Sequence, residues 1–257
     1  MQIEILYTDD AIVVINKPSG LNVHEAPGPG SSVVRELARK TGFEGLTPVH
    51  RLDKDASGVL VLGRSKSAVK ELGRLWETVV KTYWVLCEGV PKAEHGIIDA
   101  PILEHQTGKP ERLRNAVRYF VEKNPSTRLP PLPEPKTSAV HPAGRSSQTE
   151  FRILERHSTG ARTWSWLEVR PKQGRMHQIR VHMAHNGHPL AVDSLYGVRK
   201  MLTQADMGGE GREPILTRMP LHAASLIFPD ITHKHKQITA EAPLPDDINN
   251  VLTLLRV

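Results

Sequence analysis

The sequence predicts an α+β fold, with a large mixed or antiparallel sheet and flanking helices. Strand-like runs and helical spacings are mixed along the chain. They do not follow the regular strand–helix–strand alternation of a parallel sheet. The length, 257 residues, suits one large domain with a real core.

The elements follow in order. "IEILYTDDAIVVINKPSG" reads as two strands joined at Asp9-Asp10 and stopped by Pro18 and Gly20. "SSVVRELARKTG" has a serine cap, helical spacing at Val34, Leu37 and Ala38, and a stop at Gly42. "SGVLVLGRS" is a buried strand, and "SKSAVKELGRLWET" a helix capped at Ser65 or Ser67. "TYWVLCEGV" is a strand rich in aromatic and branched residues. From about Lys123 to Arg145 periodicity disappears into proline and serine, and residues 123–147 are expected to be a surface loop insertion, in part disordered. Strand signals return at "QTEFRILER" and "RTWSWLEVRP". "GRMHQIRVHMAHNG" predicts a helix ending at Gly187. "PLHAASLIF" and "KQITAEAPLP" are late strands, and "DDINNVLTLL" is a helix with an acidic start. There is no internal repeat, and one domain over residues 1–257 is expected.

Composition narrows the function classes. The chain is 39% hydrophobic and 24% charged, with a formal net charge of +6. A basic balance favours an anionic partner, nucleic acid first, although many small-molecule enzymes are as basic. Cys87 is the single cysteine, so neither an intrachain disulfide nor a cysteine metal cluster can form. It lies in the apolar run "YWVLC" and reads as a buried structural thiol. "MQIEILYTDD" lacks the basic and apolar regions of a secretory leader, and no stretch reaches the length of a membrane span. A cytoplasmic protein without a membrane partner is expected.

Three segments hold candidate chemistry. In "HRLDKDASGVLVLGRS", Asp53 stands between an extended stretch and a turn leading into a strand, a place where sites are commonly built. Taken alone, such an aspartate is more often a solvated turn residue. In "GRMHQIRVHMAHNGHPLAVDSLYG", Arg175, His177, Arg180, His182, His185 and His188 crowd together. His177 and Arg180 would share a helical face. The histidines lack the glutamate-bearing zinc-helix arrangement, so caps, core hydrogen bonds or RNA contacts suit them better than a metal. In "KTYWVLCEG", Tyr83 lies on a strand, where a packed core aromatic is the plain alternative.

Together with "NKPSG" before and "LHAASLIF" after, these segments closely resemble the RluA-type pseudouridine synthase family in order and spacing. The resemblance runs from about Ile5 to Pro245, with a gap across the proline-rich insertion. Its layout is similar to a compact branch without the small N-terminal RNA-binding domain, acting on transfer RNA, ribosomal RNA or both. The family often has threonine where this chain has Ala56, and "HQTGKPERLRNAVRYF" matches poorly.

The resemblance implies a fold with a central catalytic cleft and an isomerase that turns a uridine in structured tRNA or 23S-type rRNA into pseudouridine. No cofactor or metal is expected, and the protein is expected to be a monomer. The matching nucleophile is Asp53. Arg180 matches the arginine that pairs with it, and Tyr83 the residue that stacks on uracil and handles the proton at C5. Ile179 matches an apolar wall of the base pocket, and Arg51 a residue that fills the space left by the flipped nucleotide. Arg175 and His177 complete the expected substrate contacts. Lys17, Arg64 and Lys81 join Arg175 as candidates for phosphate contacts. Two other classes remain open on the residues alone: an RNA-binding module on the same scaffold with catalysis lost, and a histidine-based metal hydrolase.

Overall fold

A computed structural model describes residues 3–24, 32–106, 108–160, 162–233 and 235–256. It divides into two units, Met1–Val85 with Arg218–Val257, and Leu86–Thr217. The elements of the first stretch are β1 (Glu4–Thr8), β2 (Ile12–Lys17), α1 (Val33–Thr41), β3 (Thr47–Pro48), β4 (Ser57–Gly63), α2 (Lys66–Leu75) and β5 (Val80–Glu88), within which the unit boundary falls. Next come β6 (His95–Asp99), β7 (Ile102–Glu104), α3 (Pro110–Lys123), β8 (Ser138–Val140), β9 (Gln148–Thr159), β10 (Arg162–Pro171), α4 (Gln178–His185), β11 (Leu202–Thr203) and β12 (Pro214–Leu216). The chain then returns to the first unit with β13 (Leu221–Pro229), β14 (Gln237–Glu241) and α5 (Asp246–Leu255). The fold is mixed α+β, as expected.

In the first unit the strand order is β1-β2-β4-β13-β5, with β14 on β13 and β3 on β4. The β4–β13 pair is parallel and its neighbours are antiparallel, which makes the sheet mixed. All seven residues of β4 are buried, so both faces of its apolar run are used. Ile12, Val14, Val59 and Val61 point to one face, where Leu72 of α2, Leu226 and Phe228 join them. Val13, Ile15, Leu60 and Leu62 alternate to the other and are fully buried as well. Each such side chain contributes about 1.5–3 kcal/mol by leaving water. Ser32 caps α1 by accepting from Arg35 N, and Ser65 rather than Ser67 caps α2 by accepting from Ala68 N.

In the second unit β10, β9 and β6 are antiparallel neighbours. Cys87 is fully buried, and burial raises its thiol pKa, as suits a structural residue. The stretch expected as a loop insertion is irregular over 124–137, then forms β8, which pairs with β7. Ser138, His141 and Ser147 in its later part are buried. The sequence reading assigned no element to α3, yet Pro110 sits in its first turn, where a missing N–H costs nothing. The helix expected over 174–187 is shorter. It starts at Gln178, because His177 adopts a left-handed backbone with φ 58°.

Candidate active site

Asp53 stands at the head of a turn that the sheet of the first unit presents. Ala56 N donates to Asp53 O across that turn at 3.2 Å. The "NKPSG" segment forms the cradle beneath it. Gly20 N donates to Lys54 O at 2.9 Å, and Ser19 Oγ to Asp55 O at 2.7 Å. Lys17 Nζ donates to the carbonyls of Pro18, Lys54 and Ala56 at 2.8, 2.9 and 2.8 Å. Lys17 is fully buried, so all three of its donors are used inside the protein and none reaches an RNA phosphate. That corrects its place among the candidate phosphate contacts; Lys81, 6% exposed, is also buried. Burial lowers the Lys17 pKa to about 8, against the opposing pull of Asp55 and Asp53, with Arg218 adding to the fall.

The far side of the turn is fixed by strand geometry. Gly58 has φ +109°, and a Cβ placed there would lie 2.2 Å from Ala223 O. Only glycine permits this approach, which explains the "SG" pair. Ser57 Oγ lies 2.9 Å from His222 Nδ1 and accepts from Arg218 Nη1 at 3.2 Å. His222 Nε2 faces Ala242 O at 3.2 Å, so the ring proton belongs on Nε2 and the Ser57 hydroxyl donates to Nδ1. Burial brings the His222 pKa down to about 4, and Arg218 lowers it further against the pull of Ala242 O and Asp247. Arg218 is itself gripped by both carboxylate oxygens of Asp247 on α5, at 2.5 and 2.7 Å. At the near side, His50 stacks on Trp76 with ring centroids 4.5 Å apart and accepts from Val61 N at 3.1 Å. Burial first, then the Lys81 charge, lowers its pKa to about 3.

Tyr83 faces this turn from two strands away. Gly58 pairs with Ala223, and Ala223 pairs with Tyr83, so about 10 Å of sheet separates the two strands. Tyr83 is 9% exposed. Burial raises its phenol pKa far above the ordinary value, and the negative charge of Asp53 adds to the rise. The hydroxyl therefore stays protonated at neutral pH and senses the Asp53 carboxylate. Arg51 is exposed, and its charge adds to the burial that lowers the pKa of His24.

The second unit holds the remaining candidates on and before α4. Arg180, 7% exposed, meets Asp193 through two parallel hydrogen bonds, Nε to Oδ2 and Nη2 to Oδ1, both 2.7 Å. Burial would raise the Asp193 pKa, but the guanidinium and the amides of Leu195 and Tyr196 outweigh it and hold the carboxyl below its ordinary value. The guanidinium also lies 5.0 Å from the centre of the Tyr196 ring. Tyr196 Oη accepts from Ser138 N and lies 2.8 Å from His177 Nδ1. That bond holds the bent backbone before α4, so His177 and Arg180 do not share a helical face; Tyr196 contacts both. Arg175 donates from Nη2 to Ser146 O at 3.1 Å, and Ile179 is 6% exposed. His182 is spent on the core, against Thr149 Oγ1 and Ala100 O. No group of three or more His, Cys, Asp or Glu among the described residues could hold a metal ion.

Sequence reasoning gave no role to Asp193, Tyr196, His222, Arg218 or Asp247. The first two stand in the quoted "AVDSLYG", but no local spacing ties them to Arg180.

The family model described as RNA pseudouridylate synthase matches residues 11–185. A ribosomal large subunit pseudouridine synthase C of Escherichia coli O157:H7 is 35% identical over 257 residues, spanning 98% of this chain and 70% of that protein. Its counterpart from Vibrio cholerae is 32% identical over 255 residues, spanning 98% and 69%. The solved structure of human RNA pseudouridylate synthase domain containing 4 aligns with a TM-score of 0.68 at 28% identity, over 98% of this chain and 93% of that one. Among the described residues, no helix is long and apolar enough to cross a membrane. With the family model covering most of the chain and these relatives spanning nearly all of it, the chain belongs to the RNA pseudouridylate synthase family, as an RluA-type enzyme acting on RNA.

Proposed function

We propose that the protein isomerises a specific uridine in structured RNA, with Asp53 as the nucleophile and a flipped-out base as the substrate. The relatives are named for the large ribosomal subunit, which makes its RNA the first substrate to test, with transfer RNA second. In this reading the protein is a cytoplasmic monomer with one catalytic domain over residues 1–257, and it needs no cofactor or metal.

The Asp53 carboxylate attacks C1′ as the bond from C1′ to N1 breaks. The freed uracil turns, C5 bonds to C1′ as the aspartate leaves, and C5 then gives up its proton while N1 takes one up, so that the product is an isomer of the substrate. Tyr83 stacks on the uracil and handles that proton. The resemblance assigns Arg180 to the reacting carboxylate, Ile179 to the wall of the base pocket, and Arg51 to the space the nucleotide leaves. Arg175 and His177 position the RNA beside them. A base inside an RNA helix cannot reach such a pocket without unstacking.

The observation that carries this reading is the joint geometry of Asp53 and Tyr83. A half-buried carboxylate stands on a turn locked by Lys17, and its charge adds to the burial that raises the pKa of a phenol across the same sheet. A solvated turn aspartate would need neither the cradle nor the tyrosine. The test is pseudouridine mapping in RNA from cells with and without the protein, repeated with Asp53→Asn. One modified position should disappear in both altered strains. In purified form the variant should fold and bind RNA normally, with turnover down by on the order of 10⁴ or more, the scale of removing a nucleophile. Activity within tenfold of wild type removes Asp53 from the chemistry.

A further inference from the structure

Between β7 and β8 the chain makes a long excursion within the second unit. The base of this excursion is clamped by two hydrogen bonds, His105 N to Thr137 O and Lys136 N to His105 O, both 2.9 Å. α3 lies inside it. Of its fourteen residues only Leu113 is buried, while Tyr119 is 60% exposed and Val121 40%. An isolated helix of this length is marginal in water, and one anchored residue gives it little packing.

Its charge is unusual for this unit. Arg112, Arg114, Arg118 and Lys123 lie on the helix, with Lys109, Arg128 and Lys136 around it, against Glu111, Glu122 and Glu134. Residues 109–136 therefore carry four of the six net positive charges of the chain. The arginines on the strands of the same unit are ion-paired, Arg152 and Arg170 with Glu168 and Arg156 with Glu94, as is Lys172 just beyond β10 with Glu150. Among the described residues, none of the four cations on α3 is ion-paired. Arg118 is held by the Asn115 side chain at 3.2 Å, and Lys123 lies 4.5 Å from the centre of the Tyr119 ring. Four unpaired cations beside an exposed aromatic ring match an RNA strand, which offers phosphates to the charges and base faces to the ring.

We propose that α3 is an RNA-docking surface that grips the phosphate backbone of the substrate away from the reacting uridine. This rests on the reading of the protein as an RNA-modifying enzyme and adds a second point of contact to it. The helix sets affinity and the choice of RNA, and takes no part in the chemistry.

The test uses the full chain and an unmodified transcript of large-subunit ribosomal RNA. Arg114→Gln, Arg118→Gln and Lys123→Gln are combined, since glutamine keeps helix propensity while removing charge. The melting temperature should not move, which shows that the fold is intact. Affinity at about 0.1 M salt should fall roughly tenfold, and the slope of log affinity against log salt should shrink by about two to three, one counterion release per lost contact. KM should rise by a similar factor, with kcat at saturating RNA within twofold. Tyr119→Ala should weaken binding several-fold with the salt slope unchanged, separating stacking from charge. An unchanged affinity and salt slope in the triple variant overturns the proposal. If wild-type protein binds the transcript but forms no pseudouridine in any RNA, the active-site reading fails instead, and the docking surface is still judged by binding alone.

Discussion

The turn carrying Asp53 and the excursion carrying α3 are both polar, irregular and rich in charge, yet they use charge in opposite ways. The ammonium of Lys17 is spent on three backbone carbonyls and sees no solvent. The guanidinium groups of α3 have no ionic partner among the described residues, on a helix with a single buried anchor. A basic residue in a sequence thus says little about its task until its partners are known. A cation that has exhausted its donors inside the protein holds a shape. One that has not is available to a ligand.

That comparison can be broken first at Lys17. Lys17→Met removes every donor at once and leaves the carbonyls of Pro18 and Ala56 buried. Each unsatisfied group costs about 1–3 kcal/mol, so global stability should fall by several kcal/mol and turnover should collapse with the Asp53 turn. A chemical denaturation curve beside a turnover assay reads both. A variant as stable and active as wild type would show that the cradle positions nothing. The α3 variants of the docking test are the counterpart, with no loss of stability expected.

Tyr83→Phe asks less of the fold. It keeps the ring for stacking and removes the hydroxyl. Turnover should fall by about two orders of magnitude, the scale of a lost acid–base group, while RNA affinity stays within a few-fold. Single-turnover kinetics at saturating enzyme decide it. A wild-type rate would leave Tyr83 as a stacking platform only.

The smallest effect concerns pH. His222 and His50 have folded pKa values of about 4 and 3, below the ordinary 6.5. Above pH 6.5 both are neutral in either state, and their contribution to stability is fully present. As the pH falls from 6.5 towards 4, the unfolded chain takes up protons that the folded protein refuses. Stability then drops by up to about 1.4 kcal/mol per pH unit for each imidazole. The carboxyls of Asp193 and Asp247, also lowered, begin to lose their contribution only near their ordinary 3.8, so pH 5–6 isolates the histidines. Denaturant titrations at pH 7, 6 and 5 should show the fall, and His222→Asn should make it shallower by the share of one imidazole among the several whose pKa burial lowers. A flat profile from pH 7 to 5 would contradict the buried neutral imidazoles.

Where local rules operate, the sequence was readable. The strands of the first unit alternate or run apolar as burial demands, and Ser32, Ser65 and Gly42 mark helix ends by cap chemistry alone. The "NKPSG" and "HRLDKDASG" segments were recognisable, but their joining through Lys17 depends on partners 37 and 39 residues away. The same limit hid the Arg180–Asp193 pair and the left-handed His177, whose backbone is held by a tyrosine 19 residues on. α3 escaped for a different reason. Leu113, Val117 and Val121 have helical spacing, but basic residues surround them, and the stretch before Lys123 was assigned no element.

The placement of β13 has a consequence for the order of synthesis. This strand lies between β4 and β5 at the centre of the first unit, although it is made more than 130 residues after β5 begins. Gly58 lacks Ala223 on one side, Ser57 lacks His222, and Arg218 lacks Asp247, until that late segment emerges from the ribosome. The growing chain therefore carries the Asp53 turn in an unfinished form through most of translation. A transcript cut short before Arg218 would yield the whole of the second unit and an exposed β4 edge, with the turn that carries Asp53 left unbraced on that side.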